Sequence, residues 1–433
     1  MQSKFNLKEY DARLEALFSR FQSVQKVGFK DGAYKPGLAG MEKLDSLLAH
    51  PWKAYPCIHV AGTNGKGSVC SMLASALADG GSTVGLYTSP HLLDFRERMK
   101  IISARGFEMI SREEVWEFLE NYESRFDGLS FFEITTGMAF WWFRRKRVDA
   151  AVIEVGLGGR LDSTNIITPA LSVITSIGLD HCALLGSTRA EIAAEKAGIF
   201  KPGVPAVVGT RDGETAPVFE RMAALCGSPL TFASDVPPFR GEEQLLRKID
   251  LDGPSQDINL HTVLTALASP ALQGMSHCSE AIASTALRTG LQGRWQRVCG
   301  APEAICDIGH NPPALKENFR KLGELQQSGR QLIIVYGIMA DKDLAGIAPL
   351  MPSNAVYILA APSGERALQA EELKRRLTLL RPGLDCRTAA SVQDAVKLAL
   401  GLAQDLPNPL IYIGGSTFVV AEALPMFNKT AKA

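Results

Sequence analysis

The chain has 433 residues with 46 basic and 46 acidic side chains, a formal net charge of zero. That balance excludes the broad basic field by which a protein collects nucleic acid or an anionic membrane, and no Lys/Arg run supplies a local one. Apolar residues at 46% and charged residues at 21% exclude a disordered chain.

Short apolar runs alternate with helix-length segments. Strands are predicted over Cys57–Ala61, Thr83–Tyr87, Ala150–Glu154, Leu171–Thr175 and Ala206–Val208, then over Ala304–Asp307, Leu332–Tyr336, Val356–Leu359 and Leu410–Ile413. Between them the periodicity predicts helices over Val69–Ala78, Ser111–Arg125, Ile134–Arg145 and Pro313–Gln326. Alternation of this kind implies α/β architecture, with parallel sheets covered by helices. Two further helical segments, Ile258–Leu267 and Ser279–Leu287, precede a break at Gly290-Leu-Gln-Gly293. Glycine punctuation there reads as a hinge and predicts two domains, residues 1–293 and 294–433. The proline- and glycine-rich stretch 227–254 is expected to form a small hairpin excursion of the first domain.

No run reaches the ~18 uninterrupted apolar residues of a membrane-spanning helix. The opening MQSKFNLKEYDARLEALF lacks the apolar core of a signal peptide. The eight cysteines (57, 70, 182, 226, 278, 299, 306, 386) contain no C-x-x-C pair and are expected to be reduced, buried thiols. The expectation is a cytoplasmic protein.

Residues 57–68 read Cys-Ile-His-Val-Ala-Gly-Thr-Asn-Gly-Lys-Gly-Ser. An apolar strand runs through a glycine-rich turn into an amphipathic helix, the context of a phosphate-binding P-loop. Gly62, Gly65 and Gly67 let backbone N–H groups surround phosphate oxygens, and the helix N-terminus adds positive dipole. Lys66 is placed for the β/γ-phosphates and Ser68 for a phosphate or its metal, with Thr63 and Asn64 completing the loop. Gly67 separates the lysine from Ser68, where the common motif has Ser or Thr directly after Lys.

Glu154 ends an apolar strand, His181 follows another in Ile177-Gly-Leu-Asp-His181, and Ser89 follows a third in Thr88-Ser-Pro-His91. Open α/β sheets bind ligands at the carboxyl ends of their strands, so these three are candidate Mg²⁺ ligands beside the phosphate loop. Phe131 and Phe132, next to Trp141-Trp142-Phe143, read equally well as a ring-stacking platform or as a core stripe. Arg96 and Arg98 are candidates for substrate carboxylates or are solvated loop residues.

Taken together, G-T-N-G-K-G-S, T-S-P-H-L with R-E-R, E-V-G-L-G-G-R-L-D, G-L-D-H, A-x-E-K-A-G-I-F-K, D-x-x-H-N-P and G-x-M-x-D-K-D resemble folylpolyglutamate synthase, over roughly residues 36–425. Many bacterial members of that family are also dihydrofolate synthases, and the family belongs to the Mur-type amide ligases. The resemblance implies a large P-loop ATPase domain with a mostly parallel sheet and a smaller C-terminal Rossmann-like α/β domain that closes on the nucleotide. It implies ATP and Mg²⁺, with K⁺ as a further candidate ion. A pterin-side carboxylate would be phosphorylated to an acyl phosphate, and the glutamate amine would then attack it. It assigns the metal to Ser89, Glu154 and His181, a carbamylated lysine to Lys196, and catalytic roles to Lys66, His181 and Lys196. Adenosine contacts fall on Asn259, Arg294, Asp307 and His310, although Ser255-Gln256 stands where members often have His-Gln. Pterin-side contacts fall on Gly40, Phe131, Phe132, Glu133, Leu161, Asp162 and Ser163, with Arg96 beside them. The implied partners are small molecules only, namely dihydropteroate or folates, glutamate and ATP. The implied state is a monomer without nucleic acid or membrane.

Three other readings compete. A Mur-type ligase for a cell-wall precursor shares the architecture, but G-K-G-S and T-S-P-H-L favour folate. A GTPase switch needs N-K-x-D, and the near match Asn428-Lys429-Thr430-Ala431 has alanine at the base-reading position. A structural α/β protein with a relic loop would have no ATP affinity.

Overall fold

The computed structural model describes residues 5–21, 23, 28 and 35–428. Met1–Lys4 of the opening segment and Lys429-Thr430-Ala431 of the N-K-x-D near match lie outside the described residues. Contacts divide the chain into one unit of Met1–Asp250 with Asp257–Leu291, and a second of Leu251–Gln256 with Gln292–Ala433.

The first unit is built on an eight-stranded sheet. Its strands are β1 (Cys57–Ala61), β2 (Val84–Tyr87), β3 (Met99–Ser103), β4 (Gly106–Met109), β5 (Ala150–Glu154), β6 (Leu171–Ile174), β7 (Ala206–Val208) and β8 (Leu230–Phe232). They lie in the order β4-β3-β2-β5-β1-β6-β7-β8. From β2 to β8 every pairing is parallel, and β3 and β4 add an antiparallel hairpin at one edge. β1 and β5 are buried at every residue, as continuous apolar runs covered on both faces should be.

Helix starts follow local chemistry. Ser130 and Glu133 form a reciprocal capping box, so the helix begins at Phe131, three residues before the apolar periodicity suggests. Ser111 and Glu114 do the same for Arg112–Tyr122. One core, with Trp142, Phe140, Phe118 and Met138 at its centre, packs the helices 112–122 and 131–146 against the sheet. Another joins β6 and β7 to helices Arg189–Ala197 and Ala216–Cys226.

The second unit has six strands: β9 (Gln296–Gly300), β10 (Glu303–Asp307), β11 (Gln331–Tyr336), β12 (Ala355–Leu359), β13 (Asp385–Thr388) and β14 (Pro409–Gly414). Their order is β13-β12-β11-β14-β10-β9, parallel except for β9 against β10. Helices such as Pro312–Gln327 and Val392–Gln404 cover it, which makes it a second α/β layer structure.

The sequence expectation lacked β3, β4, β8, β9 and β13. Four of these have broken or exposed burial patterns, so no continuous apolar run marks them. β3 is buried but carries Lys100, whose ammonium donates to the carbonyls of Thr289 (2.9 Å) and Gly290 (3.0 Å). The stretch 227–254 is not a hairpin: β8 joins the sheet in parallel, and a 3-10 turn and the short helix Glu242–Leu246 follow. All eight cysteines are free, but only Cys57, Cys70 and Cys306 are buried and Cys182 is exposed. Gly290 and Gly293 both have left-handed backbone, at φ 61° and 68°. No helix among the described residues is long and apolar enough to cross a membrane.

Candidate active site

Several strands of the first sheet end level with one another. Register pairs Val60 with both Glu154 and Val173, Ala61 with Ile174, and Tyr87 with Ile153. The loops after β1, β2, β5 and β6 therefore leave from one edge. β5 and β6 flank β1 on opposite sides, so connections diverge there, the usual ligand position of an open α/β sheet.

The phosphate loop is clamped from the β6 side. Thr63 N donates to Ser176 O (2.7 Å), and Gly178 N donates to Thr63 Oγ1 (3.1 Å). The hydroxyls of Thr175 and Ser176 both donate to Asn64 O, at 2.6 and 3.0 Å. Two glycines leave no room for side chains. A Cβ on Gly62 would lie 1.9 Å from Thr175 Oγ1. One on Gly65, whose φ of 85° already disfavours other residues, would lie 2.4 Å from Asn259 Oδ1. Asn259, on the helix Gln256–Leu267, thus sits directly against the loop. Gly67 and Ser68 are buried in the first turn of the helix Lys66–Asp79. Lys66 Nζ donates to the carbonyls of Gly62 (3.0 Å) and Thr63 (3.2 Å), which holds the ammonium across the loop.

Glu154 is 2% exposed, and its Oε2 accepts from the Ser89 backbone N–H at 3.0 Å. His181 has left-handed backbone (φ 54°), with its Nε2 3.7 Å from Asp180 Oδ2. Among the described residues no three His, Cys, Asp or Glu side chains converge on a metal position. Lys196, in the last turn of its helix, is buried. Burial lowers its pKa to about 7 and nearby Lys66 adds to the shift, against the pull of Asp180, Asp162 and Glu195. No hydrogen bond or ion pair to its ammonium is found among the described residues. Burial therefore shifts Lys196 towards the neutral amine.

The pterin-side candidates separate into distinct environments. Phe131 belongs to the core, edge-on to Phe18 at 5.4 Å and under the Arg98 guanidinium. Phe132 is only half-buried; it lies 5.9 Å from the Tyr87 ring and fills the space that a Cβ on Gly156 would need. Gly40 packs on the Glu133 carboxylate, whose other oxygen accepts from Ser130 N (2.6 Å). Arg96 grips Asp94 through Nε and Nη2 at 2.9 and 2.7 Å. Arg98 is buried and donates Nε–H to His91 Nδ1 at 2.8 Å. Leu161 is partly exposed, whereas Asp162 and Ser163 are buried. Asp162 accepts from Leu157 N (2.8 Å) and Thr164 N (3.0 Å), and burial raises its pKa.

In the second unit Asp307 ends β10. Its carboxylate accepts from Trp295 N (2.9 Å), Gly309 N (2.8 Å) and Asn318 Nδ2 (2.6 Å). Burial raises its pKa, and the charge of Arg294 opposes that. Arg294 Nε is buried without a hydrogen-bond partner, and His310 Nδ1 lies 3.0 Å from Ile308 O.

A family model for the Mur ligase glutamate ligase domain matches residues 293–417. Over 408 residues the chain is 34% identical to the dihydrofolate synthase/folylpolyglutamate synthase of Escherichia coli strain K12, covering 90% of this chain and 91% of that protein. The chain belongs to the dihydrofolate synthase/folylpolyglutamate synthase family. Its structure is similar to E. coli FolC in complex with DHPP and ADP, with a TM-score of 0.80, 28% identity and 98% of each chain covered. It is likewise similar to a bifunctional folylpolyglutamate synthase/dihydrofolate synthase with Mn, AMPPNP and L-glutamate bound (TM-score 0.79, 28% identity, 96% of this chain and 98% of that one). The two α/β units are thus those of an ATP-dependent Mur-type ligase.

For a member of this family, three features of the edge were not read from the sequence. The Thr175-Ser176 clamp follows a strand without any motif spacing of its own. Asp180, inside G-L-D-H, lies close enough to Lys196 for its charge to pull that pKa upward. His59, a polar residue inside the apolar strand β1, has a wholly buried ring, with Nε2 2.9 Å from Thr164 Oγ1.

Proposed function

We propose that this enzyme joins L-glutamate to dihydropteroate, to folate polyglutamates, or to both, through an acyl phosphate. The observation that carries this is the level edge at which β1 and β5 end: Glu154 pairs with Val60, two residues before the phosphate loop, and Lys196 lies near enough to Lys66 to feel its charge. A pterin-side carboxylate oxygen attacks the γ-phosphorus of ATP and ADP leaves. The glutamate amine then attacks the acyl carbon, phosphate leaves and a proton is released.

In this reading the loop amides and Lys66 hold the phosphates and offset charge developing on the phosphoryl oxygens. Asn259 beside Gly65 in the first unit is assigned to the adenosine side, and in the second unit Arg294, Asp307 and His310 are each assigned to adenosine contacts. Three acceptor positions of Asp307 already serve Trp295, Gly309 and Asn318, so its part there includes shaping the loop that carries Arg294. Residues 1–293 are proposed to carry nucleotide and folate, and 294–433 to serve the ligation step. Phe132, Leu161, Asp162, Ser163 and Arg96 are assigned to the folate side.

A buried carboxylate, a hydroxyl and an imidazole form a donor set that suits a hard divalent ion keeping several waters. Glu154, Ser89 and His181 would hold Mg²⁺, which when bound supplies Lewis-acid neutralisation of phosphate charge. Lys196, shifted by burial towards the neutral amine, is suited to add CO₂ through its nitrogen with loss of a proton, which leaves a carbamate, an anionic oxygen donor, in place of an ammonium. We further assign the protein to the cytoplasm and to a monomeric state.

The test is product mass spectrometry with ATP and glutamate, offering dihydropteroate and tetrahydrofolate separately. A product from the first alone means a synthase, and products from both mean a bifunctional enzyme. No product from either, with muramyl substrates ligated instead, overturns the reading. Lys196→Ala should lose ligation and regain part of it on addition of short carboxylic acids; full activity without addition would remove the carbamate.

A further inference from the structure

Asp162 sits in the loop assigned to the folate side, and what holds it there reaches back to β1. Thr164 Oγ1 lies within hydrogen-bond distance of Asp162 Oδ1, and the two carboxylate oxygens also accept from Thr164 N and Leu157 N. Both carboxylate oxygens accept backbone N–H groups, which favours the ionised, acceptor-only form against the effect of burial, so the Thr164 hydroxyl proton points to Asp162. The Thr164 oxygen must then accept from its other neighbour, His59 Nε2, at 2.9 Å. This fixes His59 as the Nε2–H tautomer. Its Nδ1 becomes a bare lone pair, and Nδ1 is indeed buried without a partner. Burial, with Lys201 adding to it, keeps the ring neutral, its pKa down at about 3.

We propose that His59 is a positioning residue for the reaction, acting through a one-way relay from His59 Nε2–H to Thr164 Oγ1–H to Asp162 Oδ1. His59 stands on the same strand as the phosphate loop, three residues before Gly62. The relay therefore ties the folate-side loop to the strand that leads into the phosphate loop. It sets the spacing between the carboxylate to be activated and the phosphorus it attacks, where small displacements are costly. Through Leu157 and Thr164, Asp162 also gathers both ends of the loop 157–164. This inference rests on the assignment of residues 161–163 to the folate side.

The test compares pairs that keep or remove one donor. Thr164→Ser keeps the hydroxyl and Thr164→Val removes it. His59→Gln places an amide N–H near the Nε2 position, whereas His59→Asn places one near Nδ1. Thr164→Val and His59→Asn should raise KM for the pterin substrate about tenfold, with KM for ATP and the melting temperature close to those of the rescuing partners, Thr164→Ser and His59→Gln. Equal behaviour within each pair, or KM values for pterin and ATP rising together, would overturn the relay. If the wild-type enzyme ligates neither pterin, the folate assignment fails separately. The relay is then read from the ¹⁵N shifts of His59 in the histidine-labelled protein: a protonated Nε2 with bare Nδ1, constant over about pH 5 to 8, supports it. A bare Nε2 refutes it.

Discussion

The loop after β1 and the loop after β5 leave the same sheet edge but are held by different means. The phosphate loop is shaped by what is missing: two glycines whose Cβ positions are taken by Thr175 and Asn259. Its clamp is made of backbone groups and small hydroxyls from residues 175–178. The loop 156–164 is shaped by a buried carboxylate that gathers N–H donors and is tied to β1 through a threonine and a histidine. In the first loop the lysine reaches back across the loop to the Gly62 and Thr63 carbonyls. The second uses its acid internally, which suits a rigid wall. A buried acid beyond a strand end is thus not a ligand by position alone, and Asp307, at the end of β10, is likewise engaged by its own neighbours in the second unit.

The largest expected effect strikes the first loop alone. Lys66→Ala should reduce ligation on the order of 10³-fold or more while leaving the fold intact. Wild-type-like ATP-dependent rates would break the phosphate-loop assignment. Next, Gly65→Ala combines a left-handed backbone with a clash on Asn259 and should cost roughly 1–3 kcal/mol, together with weaker ATP binding. Denaturant unfolding and nucleotide titration measure both, and an unchanged pair would show that the loop tolerates a side chain.

Asp162→Asn attacks the second loop. One amide N–H₂ would face a backbone donor, at a cost of about 1–3 kcal/mol, and the effect should fall on the pterin KM before the ATP KM. A loss confined to ATP would reverse the contrast between the loops. The effect that is smallest near neutral pH is a slope in stability. The folded His59 pKa lies at about 3, below its ordinary 6.5, so the unfolded chain binds more protons between those values. Stability should therefore fall as pH drops from about 6.5 towards 3, and His59→Gln should lose that part of the slope. Parallel curves for the two proteins would place His59 in a wetter, titratable setting.

Much of the first sheet was legible. β1 and β5 were read with the observed ends because both are fully buried parallel strands, apolar apart from His59 within β1 and Glu154 at the end of β5. The exposed edge strands β4, β9 and β13 carry no such signal, and Lys100 concealed β3. Phe131 and Phe132, adjacent and alike in the sequence, part company in the fold: the first fills the core and the second lines the space beside Gly156. Arg96 and Arg98 diverge in the same way, one gripping a surface aspartate and the other buried against His91 and Phe131.

What the sequence determined by itself was the alternation of strands and helices, the glycine-lysine phosphate loop and the order of motifs that mark the family. These are local properties, written in hydrophobic period and in the backbone freedom of glycine. Only the tertiary structure decided that Lys196 is buried with its pKa lowered, that Asn259 abuts Gly65, and that the Asp162 and Asp307 carboxylates accept from backbone N–H groups around them. Each of these depends on burial and on donors brought from distant positions in the chain, through contacts that no local spacing encodes.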